Sequence, residues 1–213
     1  MNKTQFLMPV ISFFANKIRA NQMAGAILLD RDGVLNSMVI NVDHGTVDSP
    51  LHPSQVELIS GVEIALRRLY DWGFKLIVIT NQPAAAKGKT TRENLELVHQ
   101  AVILKSEAAG AKILDSFICF HRAEDECNCR KPKTQLLQKA LEKQSFDLST
   151  SWMVGDGVTD VQAGRDFGVK TAFLGPKKCD HWKVLTDRGL RPDFWGNSLA
   201  EFVNFVDSTR SNH

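Results

Sequence analysis

Short apolar segments alternate with amphipathic ones along most of the chain, and this alternation constrains the fold more than any other feature. Five segments are rich in apolar residues, as expected of strands buried on both faces: residues 26–29, 76–79, 113–118, 152–154 and 171–174. The segments between them have helical spacing, which indicates βαβ units. The sequence therefore predicts an α/β fold, a Rossmann-like parallel sheet flanked by helices in a single domain.

Capping residues predict where the helices begin and end. Three helix starts fit a capping box, in which Ser or Thr is followed three residues later by Glu or Gln: Ser60 with Glu63, Thr90 with Glu93, and Thr159 with Gln162. Gly110 and Gly168 are typical of helix ends. A last helix is expected from Ser198, with one apolar face formed by Leu199, Phe202, Val203 and Val206.

Length and charge limit the classes of partner. The 213 residues suffice for one domain with a hydrophobic core, which we place at residues 24–207 with a tail at 208–213. The net charge of +2 gives no electrostatic reason to expect nucleic acid or membrane partners. We expect a monomer that binds a small anionic substrate through a local site.

Residues 1–23 differ from the rest of the chain. The apolar stretch at 6–15 contains Pro9 and is too short to span a bilayer. Lys17 and Arg19 follow it, which makes it a poor signal peptide. We predict a cytoplasmic protein whose first 23 residues are poorly ordered or not native, with Met23 as an alternative start.

Two carboxylates follow the first predicted strand directly. Asp30 and Asp32 would lie beyond its carboxyl end, where ligands bind in open parallel sheets. One carboxylate can attack a phosphorus atom while the other donates a proton to the leaving oxygen and then takes one from water. Gly33 allows the chain to turn away after them.

Further polar groups follow other predicted strands. Asp156 would reach the same sheet edge as Asp30, and two carboxylates with a backbone carbonyl suit Mg²⁺. Asp160, one helical turn on, is placed to hold the loop or a metal-bound water. The hydroxyl of Thr80 and the ammonium of Lys131 would stabilise the oxygens of a transferring phosphoryl group.

A cluster of cysteines indicates a second metal site. Cys119 and His121 are followed, after five residues, by Cys127 and Cys129. Three thiolates and an imidazole suit a closed, structural Zn²⁺ site that would fix a polar loop. Cys179 has no such partner and is interpreted as a free thiol.

The carboxylates and other polar groups that follow the predicted strands, taken together, resemble the four motifs of the haloacid dehalogenase superfamily of phosphatases. The motifs are Asp30-Arg31-Asp32-Gly33-Val34-Leu35-Asn36, Thr80-Asn81-Gln82, Lys131, and Gly155-Asp156 through Asp160. The resemblance implies Asp30 as nucleophile and Asp32 as acid/base. It also implies magnesium on Asp30, the Asp32 carbonyl and Asp156, with phosphate held by Thr80, Asn81 and Lys131.

The zinc loop, which runs directly into Arg130-Lys131-Pro132, is similar to one branch of that superfamily. The branch contains heptose 1,7-bisphosphate phosphatases and histidinol-phosphate phosphatases. The resemblance implies that there is no large cap domain, that the zinc loop and the segment after the first motif shape the substrate pocket, and that Arg130 is a second substrate contact.

The substrate prediction leans towards the heptose enzymes. The stretch 42–47, with Asp43 and His44 as candidate sugar contacts, resembles theirs, although five extra residues precede it. Pro83-Ala84-Ala85-Ala86 departs from their usual turn, and the spacing of the zinc ligands fits the histidinol branch as well. Phosphatase action on histidinol phosphate or another small sugar phosphate therefore remains the alternative.

Two other functions fit the sequence less well. A polynucleotide 3′-phosphatase would need a basic, aromatic-lined groove, and the sequence has no such run. A non-catalytic zinc-stabilised module would contact nucleic acid through the basic run 130–133, but such a module has no need of the Asp30 and Asp32 pair.

Overall fold

A computed structural model describes residues 25–42, 45–176 and 179–210, without the side chains of Asn41 and Cys179. Within these residues there are eight strands, named β1 to β8 in chain order: Gly25–Leu29, Val39–Asn41, Thr46–Asp48, Lys75–Asn81, Ile113–Cys119, Asp147–Gly155, Lys170–Leu174 and Phe194–Gly196. Six α-helices, α1 to α6, accompany them: Val62–Asp71, Arg92–Ser106, Gln135–Gln144, Val158–Phe167, Cys179–Asp187 and Leu199–Arg210.

Six of the described strands form one parallel sheet in the order β5-β4-β1-β6-β7-β8. The first strand, β1, lies between β4 and β6, and Leu29 pairs with Val78 on one side and Val154 on the other. Every residue of β1 is buried. The predicted Rossmann-like parallel sheet in a single domain is confirmed, and β1 places its carboxyl end at the centre of the sheet edge.

Alternate residues of β1 face two separate layers of helices, because successive side chains of a strand point to opposite faces. Ile27 and Leu29 pack in a core with apolar residues of α1, α2 and α6. Ala26 and Leu28 pack on the other face with apolar residues of α3 and α4. The sheet is therefore covered on both sides, which explains why its strands lack an exposed polar face.

The last helix packs as predicted. Leu199, Phe202, Val203 and Val206 of α6 are all buried, and the ring of Phe202 meets that of Trp152 edge-on at 5.2 Å. Gly168 ends α4 in the left-handed conformation, with φ of 88°, as its sequence position indicates. Gly110 does not end α2, which stops earlier at Ser106.

The three predicted capping boxes are wrong in their details. Gly61 rather than Ser60 precedes α1, and it makes no side-chain cap. Thr91 caps α2 by accepting a hydrogen bond from Asn94 N at 3.2 Å. Thr90 instead donates its hydroxyl to Leu51 O at 3.3 Å. Thr159 lies inside the first turn of α4, where Asp160 instead accepts a hydrogen bond from Gly157 N at 3.0 Å.

Two features of the fold were not predicted from the sequence. The antiparallel hairpin of β2 and β3 follows β1, and the short strand β8 closes one end of the sheet. Both consist of three-residue strands, which are too short to give a periodic pattern. No helix in the described ranges is long and apolar enough to cross a membrane.

Gly164 sets how closely α4 approaches the sheet. A Cβ at this position would lie 2.6 Å from Thr171 Cγ2 and 2.8 Å from Met153 Cβ. We expect Gly164→Ala to lower the free energy of unfolding by about 1–3 kcal/mol, because the helix must shift outward. Urea unfolding measures this. The exposed substitution Lys139→Ala on α3 is the control, and equal stability of both variants would contradict the proposed close packing.

Candidate active site

Polar side chains from several chain segments meet at the carboxyl edge of the sheet. Asp30 follows β1, Asp156 follows β6, and Asn81 is the last residue of β4. Because β1 pairs with both other strands, these three positions are neighbours in space. The backbone N of Asp30 donates to Val154 O at 2.8 Å, which fixes the chain as it leaves the strand. The expected convergence of Asp30 and Asp156 is therefore present.

Lys131 reaches the same point from the loop before α3 and is only 2% exposed. Its Nζ lies 2.9 Å from Asp30 Oδ1 and 2.6 Å from Asp160 Oδ1. The same nitrogen donates to Ile79 O at 2.7 Å. This ammonium therefore connects the ends of β1 and β4 with the first turn of α4.

Asn81 holds Lys131 in place through the backbone. Lys131 N donates to Asn81 Oδ1 at 3.1 Å, and Asn81 Nδ2 donates to Lys131 O at 3.2 Å. Both polar atoms of this side chain are thus used on the loop. The structure brings Asn81 to the site, but as a support for Lys131.

The three carboxylates around Lys131 carry more negative charge than one ammonium neutralises. Asp30, Asp156 and Asp160 each offer an oxygen within 4.8 Å of the others. Burial raises the pKa of Asp30 to about 6, and the attraction of Lys131 only partly offsets it. Burial, and then the charges of Asp30 and Asp160, raise the pKa of Asp156 to about 7. A cation at this cluster would relieve the repulsion between carboxylates, which adds to the effect of burial on both pKa values.

The donor set fits Mg²⁺, which prefers oxygen ligands from one or two carboxylates. Asp160 is already engaged, because its Oδ1 pairs with Lys131 and its Oδ2 accepts from Gly157 N at 3.0 Å. This leaves Asp30 and Asp156 as the carboxylates best placed to hold the ion. Gly33 has φ of +78°, and any Cβ there would collide with the Asp156 carboxylate, so the turn requires glycine.

Asp32 lies in a different environment from Asp30, although one residue separates them. Its carboxylate accepts hydrogen bonds from four side chains: Arg31, Asn36, Ser49 and Gln82. Burial alone would raise the pKa of Asp32. The charge of Arg31, together with the three neutral donors, outweighs burial and lowers that pKa below its ordinary value.

The sequence alone predicts no role for these four donors. Arg31, Asn36 and Gln82 lie within the motifs at 30–36 and 80–82, and this position indicates that they belong to the site. Only the fold shows which groups each of them contacts. Ser49 had no signal at all. It follows β3, and the hairpin returns the chain so that Ser49 Oγ lies 2.8 Å from Asp32 Oδ2.

Thr80 is buried beside this network, in the next-to-last position of β4. Its Oγ1 accepts a hydrogen bond from Gln82 Nε2 at 2.9 Å. The same Nε2 donates to Asp32 Oδ2 at 2.6 Å. The structure therefore links Thr80 to Asp32 through one amide group.

The Cys and His side chains of the predicted second metal site are also brought together. The sulfur atoms of Cys119, Cys127 and Cys129 lie 3.3 to 3.7 Å apart, and His121 Nδ1 lies 3.3 Å from Cys129 Sγ. Tetrahedral Zn²⁺ with bonds of about 2.3 Å would place its sulfur ligands roughly 3.8 Å from one another. The four candidate ligand atoms are therefore spaced approximately as in a tetrahedral zinc site.

The zinc loop is anchored to the segment that carries Lys131. Arg130 Nη1 donates to His121 O at 3.2 Å, and Lys133 Nζ donates to Cys127 O at 2.7 Å. Arg130 is half-buried. Asp43 and His44, the candidate sugar contacts, lie outside the described residues.

Comparison with known proteins identifies the class. The family model of haloacid dehalogenase-like hydrolases matches residues 51–168, more than half of the chain. The chain belongs to this family. Among curated proteins, it is 32% identical over 190 residues to the D-glycero-beta-D-manno-heptose-1,7-bisphosphate 7-phosphatase of Haemophilus ducreyi, covering 85% of this chain and 98% of that one.

A second group of relatives consists of bifunctional proteins of histidine biosynthesis. The example from Actinobacillus pleuropneumoniae is 29% identical over 170 residues, which cover 77% of this chain but only 44% of the relative. Among solved structures, a D,D-heptose 1,7-bisphosphate phosphatase from B. bronchiseptica, complexed with magnesium and phosphate, matches with a TM-score of 0.72 at 25% identity. That match covers 88% of this chain and 99% of the other.

The raised pKa of Asp156 implies that the free energy of unfolding depends on pH. A carboxyl group whose folded pKa exceeds its ordinary value of 3.8 favours the fold only while protonated, so its contribution is lost as pH rises from about 4 to about 7. We expect Asp156→Asn to stabilise the metal-free protein at about pH 8 by on the order of 1–3 kcal/mol.

Urea unfolding in the presence of a chelator, at about pH 5 and about pH 8, measures this effect. Added Mg²⁺ should stabilise the unsubstituted protein at the higher pH and leave Asp156→Asn unchanged. Asp180→Asn on the exposed surface of α5 is the matched control. A loss of stability in Asp156→Asn at both pH values would contradict the electrostatic interpretation.

Proposed function

We propose that the protein is a magnesium-dependent phosphomonoester hydrolase that forms an aspartyl-phosphate on Asp30. Its proposed substrate is a heptose 1,7-bisphosphate, from which it would release the phosphate at carbon 7. The observation that carries this proposal is the contact of Lys131 with Asp30 at the edge of an acidic cluster. An ammonium and a nucleophilic carboxylate side by side suit the capture of a phosphate dianion.

The contacts of Asp30 indicate which oxygen attacks. Within the described residues, Lys131 Nζ and Arg31 N both bind Oδ1, at 2.9 and 2.7 Å. Oδ2 is therefore assigned as the nucleophile. When it bonds to phosphorus, the bond to the leaving oxygen breaks and the electron pair stays on that oxygen.

Asp32 is assigned as the group that moves the proton. The lowered pKa of Asp32 keeps its carboxyl group ionised in the free protein, so Asp32 must take up a proton when the substrate binds. It gives that proton to the leaving oxygen, and the resulting carboxylate then takes a proton from water. The water oxygen bonds to phosphorus as the bond to Asp30 breaks, which releases phosphate and restores the Asp30 carboxylate and the protonated Asp32. The hydrogen bonds from Arg31, Asn36, Ser49 and Gln82 hold Asp32 in place for both steps.

The remaining residues bind and orient the phosphate. Magnesium held by Asp30, Asp156 and the carbonyl of Asp32 would neutralise phosphate charge. Lys131 and the hydroxyl of Thr80 are assigned to the phosphate oxygens, and Asn81 contributes by fixing the backbone of Lys131. Neutralisation by these groups lowers the repulsion between Asp30 and the incoming dianion.

The substrate proposal is supported by the relatives and the local geometry. Proteins named as heptose-bisphosphate phosphatases match nearly their whole length, whereas the bifunctional histidine-biosynthesis proteins match over less than half of theirs. Arg130 lies beside Lys131 on the zinc loop and is assigned as a contact for the rest of the substrate. Asp43 and His44 are proposed to bind sugar hydroxyls. Histidinol phosphate is the second candidate substrate.

We also propose that the protein acts as a cytoplasmic monomer without nucleic acid or membrane partners. Its substrate would be a small phosphorylated metabolite. The modest net charge of +2 supports this proposal, because it provides no broad electrostatic attraction for a polyanion.

The test of function is a kinetic comparison in the presence of Mg²⁺. We expect kcat/KM to be larger for D-glycero-D-manno-heptose 1,7-bisphosphate than for histidinol phosphate. Asp30→Asn should lower the activity on both by roughly 10³-fold or more, because the amide cannot form the phosphoryl intermediate. The reverse ranking would overturn the substrate proposal. Salt-dependent nucleic-acid binding with no phosphate release would favour a non-catalytic module.

We propose that Cys119, His121, Cys127 and Cys129 hold a structural Zn²⁺. Four protein ligands complete a tetrahedral set, so such an ion would have no open position for chemistry. Its effect would be to fix the loop that ends at Arg130 and Lys131. The sulfur–sulfur distances of 3.3 to 3.7 Å support this assignment.

Metal analysis of the purified protein tests the zinc site. We expect about one zinc per chain, and Cys127→Ser should lose it and lower the free energy of unfolding by at least about 2 kcal/mol. Cys179→Ser, which changes the cysteine outside the cluster, is the control and should retain zinc. Full zinc content in Cys127→Ser would refute the ligand set.

A further inference from the structure

The side chain of Gln82 connects three functional groups at the centre of the site. It is 1% exposed and follows directly on β4. Its Nε2 lies 2.6 Å from Asp32 Oδ2 and 2.9 Å from Thr80 Oγ1. Its Oε1 accepts from Arg31 Nη2 at 2.7 Å. The backbone N of Gln82 donates to Cys119 O at 2.6 Å, which fixes the residue from which this side chain extends.

The chemistry of these partners fixes which way the amide faces. A guanidinium can only donate hydrogen bonds, so Arg31 must face the carbonyl oxygen of Gln82. The two hydrogens of Nε2 then point to Asp32 and Thr80. Because Arg31 is fully buried, reversal of the amide would leave its charged donor facing another donor, at a substantial desolvation cost.

This arrangement also orients the hydroxyl of Thr80. Its oxygen accepts the hydrogen bond from Gln82, so its own hydrogen must point away from the amide. That hydrogen is then available to an oxygen of the phosphate. The side-chain amide of Gln82 therefore orients both an oxygen of the Asp32 carboxylate and the Thr80 hydroxyl that can donate to the substrate.

We infer that Gln82 is a positioning residue for proton transfer, which keeps the Asp32 carboxyl group aimed at the leaving oxygen of the substrate. The inference rests on the proposed role of Asp32 and adds a residue to it. Arg31 contacts both oxygens of Asp32, Asn36 donates to Oδ1, and Gln82 and Ser49 donate to Oδ2, where the Gln82 bond of 2.6 Å is the shortest. Loss of the Gln82 bond removes the shortest of these contacts, so the carboxyl group shifts towards its remaining partners and transfers its proton to the leaving oxygen less efficiently.

Leaving groups that need no proton distinguish this role from a purely structural one. An alkoxide is a poor leaving group and requires a proton, whereas p-nitrophenolate is a stable anion and leaves without one. The quantity to measure is the ratio of kcat/KM for the alkyl phosphate to kcat/KM for p-nitrophenyl phosphate. Misplacement of Thr80 weakens phosphate binding for both substrates, so it cancels in this ratio.

The experiment compares Gln82→Leu and Gln82→Glu with the surface variant Gln138→Leu on α3. The alkyl phosphate is whichever of heptose 1,7-bisphosphate and histidinol phosphate the unsubstituted protein hydrolyses with the larger kcat/KM. We expect the ratio to fall at least about 10-fold in both Gln82 variants and to stay unchanged in Gln138→Leu. Gln82→Glu retains an acceptor for Arg31, so it tests the lost donor even if Gln82→Leu folds poorly.

Asp32→Asn, measured on the same two substrates, separates failure of this inference from failure of the proposed function. If Asp32→Asn lowers the ratio but both folded Gln82 variants leave it unchanged, Gln82 is only structural and the inference is overturned. If Asp32→Asn leaves the ratio unchanged, the acid role of Asp32 is wrong and the inference falls with it. A lowered ratio in all three variants supports the inference.

Discussion

The buried ammonium of Lys131 is the constraint on which the rest of the site depends. A charge removed from water destabilises a protein unless it is paired and hydrogen-bonded. Here two carboxylates and a backbone carbonyl satisfy it, and each comes from a different part of the chain. The ends of β1 and β4, the start of α4 and the loop before α3 must therefore assemble together or leave a buried charge unpaired.

The two aspartates after β1 show how environment assigns different chemistry to identical side chains. Asp30 faces other carboxylates, and its pKa is raised, whereas Asp32 faces Arg31, and its pKa is lowered. The difference arises because one residue of separation in a turn directs the two side chains into separate pockets. These shifts are opposite to what a nucleophilic Asp30 and a proton-donating Asp32 need. The proposed mechanism therefore requires Mg²⁺ beside Asp30 to lower its pKa and the phosphate charge beside Asp32 to raise its pKa.

The cysteine cluster and Lys131 belong to the same loop, and side chains on either side of Lys131 contact the cluster segment. The loop between β5 and α3 is polar and has no core of its own, yet it must deliver Lys131 to the sheet edge. Cys119 ends β5, and the other three members of the cluster lie within the next ten residues. A metal at this cluster would remove the conformational freedom of the loop, while Asn81 holds its far end.

The sequence by itself determined the parallel sheet, its five long strands and the convergence of Asp30 and Asp156, because buried strands and their carboxyl ends leave a local composition signal. It also determined the four members of the cysteine cluster through their spacing. The helix caps are local, but neighbouring residues compete for them, so the sequence did not distinguish Thr90 from Thr91 at the start of α2. Only the tertiary structure decided how the hairpin of β2 and β3 returns to the site and which residues contact Asp32. Those features depend on contacts between residues far apart in the chain: Gln82 meets Asp32 across 50 positions, and Ser49 meets it across 17. No local pattern encodes such pairs, because the energy that selects them exists only once the chain is folded.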